Sequence, residues 1–142
     1  MAKSEIRYLP QKVRRPNPIT ITNTAAPGDI VISNDSGEPT EVHSLILTGD
    51  TSADKTIEIR LAKTSGGSNA IVLWVGTLLQ NAGLAAGNPA IDVIRENRLQ
   101  GLEEVSPGKY LFMLPDSWSL YIRSTTSSTT ALAQGYGKDY AA

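Results

Sequence analysis

From Ile19 onward, apolar and polar residues alternate along the chain with a period of two. In ITITNT, Ile19 and Ile21 share one face and Thr20 and Thr22 the other; in TIEIRLA, Ile57, Ile59 and Leu61 stand opposite Glu58 and Arg60. Successive side chains of a strand point to opposite faces, so this alternation predicts half-buried strands. DIVIS (Asp29 to Ser33) and EVHSLILT (Glu41 to Thr48) read the same way, bounded by the turn-forming stretches APGD, NDSGEP and TGDTSAD. Toward the end, KYLFMLP and SWSLYIRS are strands joined by a tight turn at Pro115 and Asp116, and the TTSSTT run leads into ALAQGY. These last three segments are expected to form a C-terminal meander. Its phase puts Trp118, Leu120 and Ile122 in the core and leaves Tyr121 and Arg123 outward, as candidates for exposed recognition. Short strands at regular spacing favour an all-β fold, an antiparallel β-sandwich of jelly-roll type with roughly seven to nine strands.

Two segments break the alternation. NAIVLWVGTLL, Asn69 to Leu79, is apolar on both phases. Such a strand is expected to be covered on both sides, by the segment that follows or by another subunit. Residues 80–108 begin rich in Gly and Ala and then mix Ile91, Val93, Ile94, Leu99 and Leu102 with charges. A short strand near Ile91 to Arg95 and one or two helical turns are both compatible with this pattern. A long irregular excursion on a small sheet domain marks function or an interface. Trp74, Leu84, Ile91 and Ile94 are therefore the candidate subunit-contact residues. Residues 1–18 differ again: Pro10, Pro16 and Pro18 disfavour helix, so the segment reads as an extended arm ahead of a single domain spanning 19–142.

Charge sharpens this division. Lys3, Arg7, Lys12, Arg14 and Arg15 face only Glu5 in the first 18 residues, leaving 8 basic and 13 acidic side chains for the rest of a chain of 142 residues. A basic arm on an acidic body suits docking on an acidic protein surface; the body's charge and the absence of interleaved aromatics in the arm argue against nucleic acid. Arg7, Lys12, Arg14 and Arg15 are the candidate docking residues. There is no cysteine and a single histidine, which removes disulfide scaffolds, thiolate metal sites and Cys nucleophiles. No apolar run reaches the roughly 20 residues of a membrane span, and the charged start lacks a secretory apolar segment, so the expectation is a soluble protein made in the cytoplasm.

Candidate chemistry is sparse. His43 lies beside Glu41, but no second histidine or nucleophile motif accompanies it, and it reads as a partly exposed strand residue. Asp50 and Asp54 lack the glycine and distal glutamate of a calcium loop. In KTSGGSN the lysine precedes the glycines and a strand follows, the reverse of a phosphate loop. Glu103 and Glu104 are adjacent and have no convergent partner for paired-carboxylate hydrolysis. The aromatic set Trp74, Tyr110, Phe112, Trp118, Tyr121 and Tyr136 could stack a sugar, yet Trp118 falls in the core phase, leaving Tyr121 as the outward ring of its strand. The expectation is a non-enzyme without cofactor or metal.

The order of pieces from about Ile30 to Tyr136 resembles small virion proteins of tailed bacteriophages. The carriers are EVHSLILTGDTSADKTIEIRLAKTSGGSNAIVLWV, an irregular stretch, and KYLFMLPDSWSLYIRSTTSSTTALAQGYG with its Ser/Thr-rich loop and small-residue last strand. This is similar to β-sandwich capsid decoration (cement) proteins and related head, neck or tail accessory subunits. The resemblance rests on strands and turns, and the length of residues 80–108 departs from it. It implies a virion subunit on the capsid exterior that bridges major capsid protein or other virion subunits. A closed homo-oligomer is expected with it, a trimer first. A neck or tail connector and a carbohydrate-binding module are the alternatives.

Overall fold

Alternation of the kind seen in the sequence builds two antiparallel sheets in the computed structural model, which describes residues 10–66, 69–84 and 88–140. The strands are β1 (Pro10–Arg14), β2 (Ile19–Thr20), β3 (Asp29–Ser33), β4 (Thr40–Thr48), β5 (Lys55–Lys63) and β6 (Ile71–Leu78). They continue with β7 (Ile91–Asp92), β8 (Glu103–Ser106), β9 (Lys109–Leu114), β10 (Trp118–Ser124) and β11 (Leu132–Tyr140). The larger sheet has the order β1-β11-β4-β9-β8, with β2 also on β11 and β7 also on β4; the smaller is β3-β10-β5-β6.

Treating β1 and β2 as one strand and β7 and β8 as additions leaves eight principal strands. The larger sheet then holds the first, eighth, third and sixth, and the smaller the second, seventh, fourth and fifth. This is the jelly-roll arrangement of a β-sandwich, so the expected fold class is the observed one. The expected C-terminal meander is not. β9 lies beside β4, β10 crosses to the other sheet between β3 and β5, and β11 crosses back between β1 and β4. Period two reports which face of a strand is buried and carries no information about which sheet the strand joins.

The core lies between the sheets and is filled by Ile32, Leu45, Leu47, Ile57, Ile59, Leu114, Leu120 and Ile122, all buried. Each such side chain contributes about 1.5–3 kcal/mol relative to exposure. Parts of the expected excursion cover this core instead of standing off it: Ala82, Val93, Ile94 and Leu99 belong to the same buried cluster, and Gln100 N–H donates to the Leu73 carbonyl at 3.0 Å. Within the expected arm, residues 10–14 are a sheet strand. β1 pairs with β11, and Arg14 bonds Asp139 at 3.3 Å and the Ser33 carbonyl at 2.8 Å.

Of the two covers expected for β6, the segment that follows does not supply one. β6 is the outermost strand of the smaller sheet, and Ile71, Val72 and Val75 are 52%, 42% and 55% exposed. A bulge opposite Ile59 and Arg60 adds Leu73 to the strand; Leu73 is buried in the core and Trp74 packs against it, with the indole over Gly76. The apolar run therefore divides between an inner face and an open edge.

Two buried carboxylates tie strands and loops together. Glu58 Oε1 accepts from Arg60 Nε at 2.7 Å and from Arg123 Nε at 2.8 Å, which holds its pKa below the ordinary 4.5, the Arg60 bond being the largest cause. Asp50 accepts from the Ser52 hydroxyl and N–H and, at 2.7 Å, from Thr130 N–H, and its carboxyl sits far below the usual range for that reason. Asp50 is thus a staple between two loops. A depressed folded pKa means stability that is full above the unfolded value and is lost as pH falls through the folded one. The thermal midpoint should therefore fall as pH drops below about 4.5. Glu58→Gln should lower the midpoint at neutral pH and make the acid decline shallower, as read by thermal unfolding across a pH series.

Candidate functional site

β4 runs the length of the larger sheet and offers two edges. One pairs with β11 from Leu132 to Asp139; the other is divided, with β9 taking Thr40 to Val42 and β7 taking Ile46 and Leu47. A cleft opens at the fork. Its first depression, about 340 Å³, is lined by His43, Arg95, Gly108, Lys109 and Tyr110. A second, about 290 Å³, shares Arg95 and continues over Arg15, Asp92 and Tyr136. A third and shallower one shares Ile46 and Gln134 with the second and ends on Pro18 and Leu132.

The backbone explains why these side chains meet. The β4–β11 register slips between Tyr136 and Gly137, which face Ser44 and Val42, so His43 is the extra residue of a bulge. Bulges re-aim side chains at such positions. His43 Nε2 lies 2.9 Å from Glu41 Oε1, and the His43 and Tyr136 rings are 6.0 Å apart and tilted. Arg15 stacks its guanidinium over Tyr136 at 4.6 Å. Glu41 also accepts from the Tyr140 hydroxyl, whose pKa is pushed up to about 12 by burial first and by this carboxylate second.

Asp92 shapes the opposite wall. Its carboxylate accepts from Leu45 N–H at 3.1 Å, Ile94 N–H at 3.2 Å, Arg95 N–H at 3.1 Å and the Ser44 hydroxyl. It therefore binds β4 to the turn after β7 and aims the exposed Arg95 side chain along the cleft. The two acids of the site are spent on internal bonds, while Arg15 and Lys109 make no ion pair among the described residues. The cleft offers cations and amphipathic rings. No group of three or more His, Asp or Glu able to hold a metal occurs among the described residues.

The residues proposed from sequence scatter. Arg7 lies outside the described residues. Lys12 is exposed on β1, Arg14 is engaged within the chain, and Arg15 reaches the cleft. Of the expected subunit contacts, Leu84 is exposed, Trp74 and Ile91 are half-buried against the core, and Ile94 is fully buried and so unavailable to another subunit. Tyr121, expected to be outward, is only 5% exposed, held down by its hydroxyl, which donates to the Lys63 carbonyl at 2.9 Å. Arg123 is turned onto Glu58. The recognition pair and the sugar platform anchored on Tyr121 thus lose their exposure. Sequence reasoning left Arg95 and Lys109 out of the site, since the fork that unites them with His43 joins residues far apart in the chain.

Among the described residues no helix is long and apolar enough to cross a membrane. Comparison with protein-family models, with curated proteins and with solved structures finds no match to this chain.

Removing the Asp92 carboxylate strips several partners at once. Asp92→Ala should cost about 2–4 kcal/mol, more than Asp92→Asn, which keeps one acceptor oxygen. Urea unfolding of the two variants checks the order.

Proposed function

We propose that this chain is a non-enzymatic structural subunit of a virion that decorates a phage capsid and stabilises it by bridging neighbouring capsid subunits. The observation that carries the reading is the open edge of β6. Its sequence, IVLWVGTL, has no charge and no proline, and Ile71, Val72 and Val75 are exposed along it, with Leu79 exposed just beyond. Edge strands of free-standing proteins are blunted by lysines, prolines or cover, because a bare row of N–H and C=O groups recruits further strands. An unblunted apolar edge suits a protein that works while docked. The jelly-roll fold and the resemblance to cement proteins support the same reading, and Lys12, exposed on β1, offers a cation to an acidic neighbour.

Immunogold electron microscopy of particles from cells that make the chain tests this. Regular label over the capsid exterior is the expected result, and label absent from every particle overturns the proposal. Val72→Lys with Val75→Lys places charge on exposed positions, so the domain should still fold. Occupancy on particles, measured by co-sedimentation, should drop at least about tenfold, since a buried unpaired charge costs well over 1.4 kcal/mol.

A further inference from the structure

The three depressions on the larger sheet form one groove with two characters. One end presents Lys109, Arg95 and Arg15. The other is floored by the exposed Ile46 and Leu132 beside Pro18. Asp92, the acid on its wall, and Glu41, which bonds the lining His43, are occupied by bonds within the chain. Arg95 is 71% exposed at the side chain and meets Asp92 only at 3.7 Å, so it keeps donors to spare. Such a groove selects a segment that carries carboxylates next to an apolar side chain, because cations recognise the first and desolvated aliphatic surface the second.

The chain carries such a segment. β8, Glu-Glu-Val-Ser from Glu103 to Ser106, is exposed at all four residues and is the outermost strand of the larger sheet, paired among the described residues with β9 alone. Val105 is the extra residue of a bulge and is 59% exposed. Glu104 accepts from Gly108 N–H at 3.1 Å in its own hairpin, whereas no ion pair holds Glu103 among the described residues. The hairpin turn at Gly108 and Lys109 is also a wall of the groove, so the strand and the groove lie side by side on one surface.

We infer that the groove is the seat for β8 of a second copy of this chain, with Glu103 meeting Arg95 and its neighbouring cations and Val105 resting on Ile46 and Leu132. Since strand and groove adjoin, a two-fold rotation seats both strands at once and closes the contact. The result is a pair, in place of the three-fold ring that the resemblance suggests. The pairing is independent of what β6 docks on.

Sedimentation equilibrium of the full chain over a concentration series tests it. The wild type should form a dimer whose dissociation constant rises with salt, as ion pairs are screened. Arg95→Glu and Glu103→Arg, both at exposed positions, should each weaken the dimer about tenfold or more. An equimolar mixture of the two variants should recover wild-type association, because the mixed pair has one native contact and one with its charges exchanged. A monomeric wild type overturns the inference, as does a mixture no tighter than its components. The Val72→Lys, Val75→Lys variant should dimerise like the wild type; if it does not, edge pairing of β6 is responsible and the groove contact is wrong. Far-UV circular dichroism confirms that each variant is folded.

Discussion

A strand has two edges, and β4 serves three partners. One edge is taken by β11 along nearly its whole length, so β7 and β9 divide the other. Neither covers the stretch around His43, and the backbone there is completed by side chain and loop instead: Asp92 accepts from Leu45 N–H and the Leu45 carbonyl accepts from Val93 N–H. Buried backbone groups must be paired somewhere, so an incomplete ladder forces such local solutions. The cleft, the aim of Arg95 and the position of Lys109 follow from that division. The bulge at His43, on the same strand, adds the aromatic and imidazole wall.

The two ends of the molecule manage their edges differently. β1 protects the β11 side, with Arg14 reaching across to Asp139 and to the Ser33 carbonyl of the opposite sheet. β8 carries glutamates, a standard guard against indiscriminate strand pairing. β6 combines an open edge with a run of exposed aliphatics and no charged residue. Polar groups within the body are settled: no buried side-chain nitrogen or oxygen among the described residues lacks a hydrogen-bond partner. The Glu58–Arg60–Arg123 cluster shows how this is reached, since one carboxylate satisfies two guanidiniums on neighbouring strands.

Several strands were legible from the sequence to within a residue or two. DIVIS is β3, EVHSLILT is β4 less one residue, and the Leu120 and Ile122 phase is the core phase of β10. The opposite phase of β10 misleads, because Ser119 and Tyr121 are buried as well. That phase is tied down by side-chain bonds that alternation does not report: the Tyr121 hydroxyl donates to the Lys63 carbonyl, and the Ser119 hydroxyl bonds that of Thr64. Ile94 misleads for the converse reason. Its segment has no clean period, so nothing local distinguishes a residue that plugs the core from one that faces a partner. The candidate site was the least legible part: His43 and Tyr136 were visible as residues, but their meeting depends on a bulge, and Arg95 and Lys109 join them only through the fork.

What the sequence determined by itself is the class of fold, because alternation with period two is set by the geometry of a single strand and needs no knowledge of its neighbours. It also determined the charge division between the first 18 residues and the rest. Tertiary structure alone decided which sheet each strand enters, where β4 would be shared, and which apolar residues were left outside. Those outcomes come from pairings between residues as distant as Val13 and Lys138 or Glu41 and Tyr140, and a pairing is chosen by the competition among all strands for a limited number of edges.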